Sequence, residues 1–174
     1  MDSVSGQEIA TRLGEFHEVY RRAFAGAPHF ETDADAERFV ESLRRHSQRE
    51  GFRCYVARDA ERVVGFGYGY TSRPGQWWHD LIAGSDQGDM GWLDGAFELV
   101  TLAVDPSVQG QGIGGRLHDV LLNGLPHHAA ALSVRSAEAP ALHLYSGRGW
   151  KKIIAPFYYP GGNEPFIIMR HDLA

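Results

Sequence analysis

The sequence predicts an α/β fold in which a mixed central sheet is flanked by helices, and three observations predict it. Apolar residues recur at helical and strand spacings in the order αα ββ βα βα ββ. A glycine-rich run, "VDPSVQGQGIGG" at residues 104–115, joins an apolar strand to a helix. With 174 residues, 43% of them hydrophobic, the chain can bury the core of one domain, expected to span residues 1–174.

Two helices lead the chain. Over residues 8–24, Ile9, Leu13, Phe16, Tyr20 and Phe24 recur at steps of three and four, and residues 33–48 repeat the pattern through Ala36, Phe39, Val40 and Leu43. The second begins with acidic residues, which suit a helix N-terminus. "FRCYVAR", the turn "DAER" and "VVGFGYGY" then read as a hairpin rich in β-branched and aromatic residues. Residues 71–95 read as a long polar loop, and a loop carrying Trp77, Trp78 and Trp92 is expected to be functional. A strand over 96–104 follows, then the glycine loop and a helix bearing Ile113, Leu117, Val120 and Leu121, stopped by "NGLP". Residues 130–134 form a short strand, and Pro140 opens a helix with Ala141, Leu144 and Tyr145 on one face. Strands over 150–159 and 165–169 close the chain. His127 and His128 read as a solvated turn, with no third ligand to make a metal site, so no metal is expected.

Composition narrows the partners. A net charge of -5 gives no general attraction to nucleic acid or to an anionic membrane, so neither is expected as a partner. Small or cationic molecules fit better. Cys54 is the single cysteine, so no intrachain disulfide can form. The start lacks the apolar stretch of a signal peptide and no run is long enough to span a membrane, so a cytoplasmic location is expected.

Glycines between a strand and a helix let backbone N–H groups face a ligand at the positive end of the helix dipole, an arrangement suited to phosphate. The competing reading is a turn that needs glycine only for positive φ or tight packing. A P-loop is excluded, because no Gly-Lys-Ser/Thr closes the run. Gly110-x-Gly112-x-x-Gly115 matches the dinucleotide fingerprint, with Glu138 about 20 residues on, yet too little chain follows for a second nucleotide-binding half.

Gln109-x-x-Gly112-x-Gly114, with Val104 and Pro106 ahead of it, resembles the acetyl-CoA loop of the GNAT N-acetyltransferase superfamily. "ALHLYSGRGW" is similar to the tyrosine segment of that family, and the order of elements follows the GNAT acyl-CoA N-acyltransferase fold over most of the chain. Two departures stand out. "MDSVSGQ" offers little for the strand that usually precedes the first helix, which is expected to be missing or replaced, and Glu138 stands where many relatives carry asparagine.

The resemblance implies acetyl-CoA as cosubstrate. Its pyrophosphate would be held by amides of Gln109, Gly110, Gln111, Gly112, Ile113, Gly114 and Gly115, and its pantetheine arm by backbone groups of Leu102, Ala103 and Val104. Glu98 lies six residues before Val104, roughly 20 Å along a strand, near the acetyl end. As the lone carboxylate of that strand it is the candidate general base, against the plainer reading of an exposed or paired glutamate. Tyr145 occupies the place of the family tyrosine that faces the departing sulfur; its plainer reading is packing beside Ala141. Trp77, Trp78, His79 and Trp92 are the candidate acceptor-binding residues, since aromatic walls near Asp80 and Asp94 suit an ammonium group. A hydrophobic cluster capping the sheet is the equally weighted alternative.

The implied activity is direct acetyl transfer to a primary amine of a small molecule, an aminoglycoside-like compound or polyamine among them. The partner is then a small-molecule amine acceptor, and a homodimer is compatible with the resemblance. The rivals are a protein acetyltransferase acting on a terminal amine or lysine, and a noncatalytic acyl-CoA sensor.

Overall fold

Each of the first two helices starts at a reciprocal cap. Ser5 and Glu8 form a capping box at α1 (Gly6–Phe24), and Thr32 and Asp35 form one at α2 (Asp33–His46). The computed structural model describes residues 1–174. Its strands are β1 (Asp2–Ser3), β2 (Arg53–Asp59), β3 (Arg62–Thr71), β4 (Phe97–Val104), β5 (Ala129–Arg135), β6 (Lys151–Phe157) and β7 (Phe166–Asp172), in the sheet order β1-β2-β3-β4-β5-β7-β6. Three further helices are α3 (Trp77–Ala83), α4 (Ile113–Leu122) and α5 (Ala139–Ser146).

The chain divides into two compact units, and β4 passes from one to the other at Glu98–Leu99. The first unit comprises residues 1–70 and 99–124. Ile9, Phe16 and Val19 of α1, with Phe39 and Leu43 of α2, pack against Val56, Phe66 and Tyr68 of the β2–β3 hairpin. Phe16 meets Phe66 edge-on at 5.1 Å and Tyr20 stacks on Phe39 at 4.0 Å. A second cluster joins Ile113 and Leu117 of α4 to Ala57 and Val64. Gly65 allows this approach: a Cβ there would lie 3.1 Å from the Ala103 carbonyl oxygen and 3.2 Å from Leu117.

In the second unit, residues 71–98 and 125–174, β5 pairs parallel with β4 through Phe97↔Ala130 and Glu98↔Ala131, and antiparallel with β7. Trp78, Ile82, Leu93, Ala131, Ile154 and Ile168 form its core.

The structure corrects three expectations. The N-terminal strand is present as the two-residue β1, with Asp2 opposite Val56 and Ser3 opposite Tyr55. So short a strand has no periodicity to read. Residues 71–95 hold α3 and a 3₁₀ turn over Gly91–Leu93, where a loop was expected. The glycines and Pro74 around a seven-residue helix masked its period. His127 is half-buried rather than solvated, with Nε2 2.9 Å from Thr71 Oγ1 and its ring edge-on to Phe97; His128 is exposed as expected, with Nε2 2.8 Å from the Trp92 carbonyl oxygen.

Candidate active site

In the first unit, the segment after β4 is built around Asp105. Its Oδ1 accepts from the Ser107 amide at 2.9 Å and the Ser107 hydroxyl at 2.7 Å, shaping Pro106–Val108 into one 3₁₀ turn. Its Oδ2 accepts from Arg22 of α1 at 3.1 Å and Arg62 of β3 at 3.4 Å. Burial raises the Asp105 pKa, but the Ser107 hydrogen bonds and the two arginines outweigh it, so the carboxyl lies below its ordinary value.

Gln109 turns back on the strand, its Nε2 donating to the Val104 carbonyl at 3.0 Å. Gly110 and Gly112 adopt φ of 77° and 75°, the left-handed region that favours glycine. Gly112 is the N-cap of α4 and supplies no side-chain cap, unlike Ser5 and Thr32. The first amides of α4, on Ile113, Gly114 and Gly115, therefore have neither an intrahelical partner nor a capping side chain. Arg116 closes the turn by donating to the Gln111 carbonyl at 3.0 Å. Uncapped amides at the positive end of a ten-residue helix fit an anionic diphosphate.

In the second unit, Glu98 is the second residue of β4 and is 5% exposed, which removes the reading of a solvated glutamate. Tyr159 feels the charge of Glu98 and makes two polar contacts of its own. Its hydroxyl accepts from Trp78 Nε1 at 2.9 Å and lies 2.7 Å from Ser133 Oγ. Burial raises its pKa and the Glu98 charge pushes in the same direction, against the opposing hydrogen bonds from Ser133 and Trp78. Trp77, 66% exposed, stacks on the same ring at 5.8 Å. Neither Tyr159 nor Ser133 was singled out in the sequence, and the only available signal was the pair Tyr158-Tyr159 after a strand.

Tyr145 of α5 is buried against Trp150, ring centres 5.6 Å apart. Burial, then the negative charge of Glu138, raises its pKa above the ordinary phenol value. It stays protonated at neutral pH.

The four predicted acceptor residues separate by exposure. Trp77 is open to solvent, whereas Trp78 belongs to the core and His79 is buried with its Nδ1 3.1 Å from Asp80. Trp92 is half-buried beneath the Arg170 guanidinium at 4.9 Å. No group of three or more His, Cys, Asp or Glu residues could hold a metal ion. No helix is long and apolar enough to cross a membrane.

The family model described as acetyltransferase (GNAT) family matches residues 13–150. The chain therefore belongs to the GNAT acetyltransferase family, whose enzymes use acetyl-CoA. It is 31% identical over 121 residues to a GCN5-like protein acetyltransferase of Mycobacterium tuberculosis, covering 64% of this chain and 59% of that protein. It is 39% identical over 77 residues to the ribosomal protein bS18-alanine N-acetyltransferase of Escherichia coli, covering 41% of this chain and 52% of that protein. A crystal structure of a ribosomal-protein-S18-alanine N-acetyltransferase from Escherichia coli matches with a TM-score of 0.66 at 19% identity, covering 99% of this chain and 92% of that one. A putative acetyltransferase of Salmonella typhimurium, solved with acetyl-CoA, matches with a TM-score of 0.63 at 15% identity over 99% of this chain and 92% of that one. The chain spans between 21% and 59% of the length of the curated relatives it matches.

Proposed function

We propose that the protein transfers the acetyl group of acetyl-CoA directly to a primary amine. The observation that carries this reading is one strand, β4, with a buried carboxylate at its start and an uncapped glycine-rich helix entry after its end. Glu98 and Val104 are six residues apart, roughly 20 Å of strand. A pyrophosphate on the amides of residues 109–115, with pantetheine bonded along Leu102, Ala103 and Val104, would bring the thioester towards Glu98. The Val104 carbonyl already accepts from Gln109, so the arm would rely on the other backbone groups of that stretch.

Acetyl-CoA supplies the activated acetyl group. Glu98 takes the ammonium proton, directly or through water, so that the neutral nitrogen attacks the carbonyl carbon. Tyr145 donates a hydrogen bond to the departing sulfur, and its raised pKa makes that stabilisation rather than full ionisation. Trp77 on Tyr159 offers an aromatic face to the acceptor cation.

The acceptor we favour is a small-molecule amine. A protein amine, N-terminal or lysine, is the second reading, favoured by the names of the protein acetyltransferase from Mycobacterium tuberculosis and the bS18-alanine N-acetyltransferase from Escherichia coli. Free thiol released from acetyl-CoA, followed across small amines and short peptides, tests both, and turnover of peptides alone would replace the first reading with the second. Within the mechanism, Glu98→Gln should lower kcat/KM most where the amine is protonated and recover partly as pH rises. Tyr145→Phe should show no such recovery, because more free amine does not restore the donor to sulfur. Equal rates and identical pH profiles for wild type and Glu98→Gln would remove Glu98 as the base.

A further inference from the structure

Asp105 is the single acidic residue between Leu99 and Gly115, and it is a paradox there. A carboxylate beside amides that receive a diphosphate repels the ligand. Its surroundings resolve this. Its side chain is 4% exposed and takes hydrogen bonds from the Ser107 amide, the Ser107 hydroxyl, Arg22 and Arg62, while its own amide donates to the Val64 carbonyl at 2.8 Å. One side chain thereby ties α1, β3 and the Pro106–Val108 turn together, and the two guanidinium groups neutralise its charge. Beyond the turn, residues 109–112 are exposed and include two glycines at positive φ. Such a stretch is held at few points, by the turn that Asp105 shapes before it, by the Gln109 side chain on the Val104 carbonyl and by the Arg116–Gln111 bond. Any freedom left in it must be lost when a ligand binds.

We propose that Asp105 is a positioning residue for the acetyl donor: clamped by Arg22 and Arg62, its carboxylate holds the Pro106–Val108 turn, and through it the amides of residues 109–115, in the arrangement that receives the CoA pyrophosphate. This rests on the reading of the glycine loop as the donor site.

Asp105→Asn tests it, because charge and position predict opposite signs. Removing a negative charge near a diphosphate would by itself tighten binding, whereas loosening the turn weakens it. The expected result is a rise of about tenfold in acetyl-CoA Kd by calorimetry and in its KM, as the loss of a charge-assisted contact implies. The kcat at saturating acetyl-CoA and the KM for the amine should stay near wild type, a split that general destabilisation does not produce. Equal or tighter acetyl-CoA binding, or a fall in kcat with KM unchanged, overturns the proposal. If Asp105→Asn does not fold, Ser107→Ala removes only the hydroxyl and should raise the acetyl-CoA KM in the same direction by a smaller factor; an unchanged KM overturns the proposal equally. Gly112→Asp separates the two levels. Wild-type acetyl-CoA binding by that variant refutes the glycine-loop reading and this inference with it. Its loss, alongside normal binding by Asp105→Asn and Ser107→Ala, refutes the positioning role alone.

Discussion

Two adjacent tryptophans show how one residue step changes a role. Trp77 lies on Tyr159 with most of its surface in solvent, while Trp78, next along α3, is 8% exposed and donates to the Tyr159 hydroxyl. Successive residues on a helix point about 100° apart, so one meets the core and the other does not. Trp78→Ala should therefore cost about 3–5 kcal/mol of stability, as for other large-to-small core changes, and lower the denaturant midpoint. Trp77→Ala should leave the midpoint near wild type and raise the KM for the amine, with acetyl-CoA affinity unchanged. Loss of acetyl-CoA binding in folded Trp77→Ala would move this residue out of the acceptor region.

Among the elements, α2 carries a titration that follows from its packing. His46, in its last turn, places Nδ1 3.0 Å from the Tyr68 hydroxyl and its ring 4.9 Å from Tyr70. Burial, then the positive charges of Arg49 and Arg45, depresses its pKa to about 4. The unfolded chain binds this proton near pH 6.5 and the folded chain does not. The contribution is therefore complete above pH 6.5 and is lost as pH falls towards about 4, with a slope of at most about 1.4 kcal/mol per pH unit. Denaturant midpoints measured between pH 7 and 4 should fall for the wild type and fall less for His46→Phe. Parallel curves for the two proteins would assign the acid sensitivity elsewhere.

For the whole molecule, acetyl-CoA should act as a folding ligand. A ligand bound only by the native state adds about 2.7 kcal/mol at one hundred times its Kd, so the melting temperature should rise with acetyl-CoA concentration. Gly112→Asp should abolish the rise, since it adds a negative charge and a side chain where φ is 75° and a Cβ would lie 3.2 Å from Arg116. Some intrinsic destabilisation is expected from the same strain, which makes the concentration dependence, not the starting temperature, the informative quantity. An equal rise in both proteins would place the donor away from this loop.

Much of this protein is legible in one dimension. The periods of α1, α2 and α4, the β-branched and aromatic content of β2 and β3, and the spacing of Gln109, Gly112 and Gly114 are local signals, and each led to the right element or to the family. Glu98 stands out in the sequence as the lone carboxylate of an apolar strand, and the structure adds its burial. The two-residue β1 and the seven-residue α3 were not visible, because neither is long enough to show a period and both form by pairing or packing with distant chain. Tyr159 and Ser133 are 26 residues apart and meet Trp78 from a third element. Asp105 gains its arginines from 83 and 43 residues earlier in the chain. Sequence alone determined the chemical types and the order of the elements, since those depend on neighbours within a few turns of chain. Which polar groups share a hydrogen bond, and which of two adjacent tryptophans faces water, depended on strand register and helix rotation, and only the tertiary structure decided them.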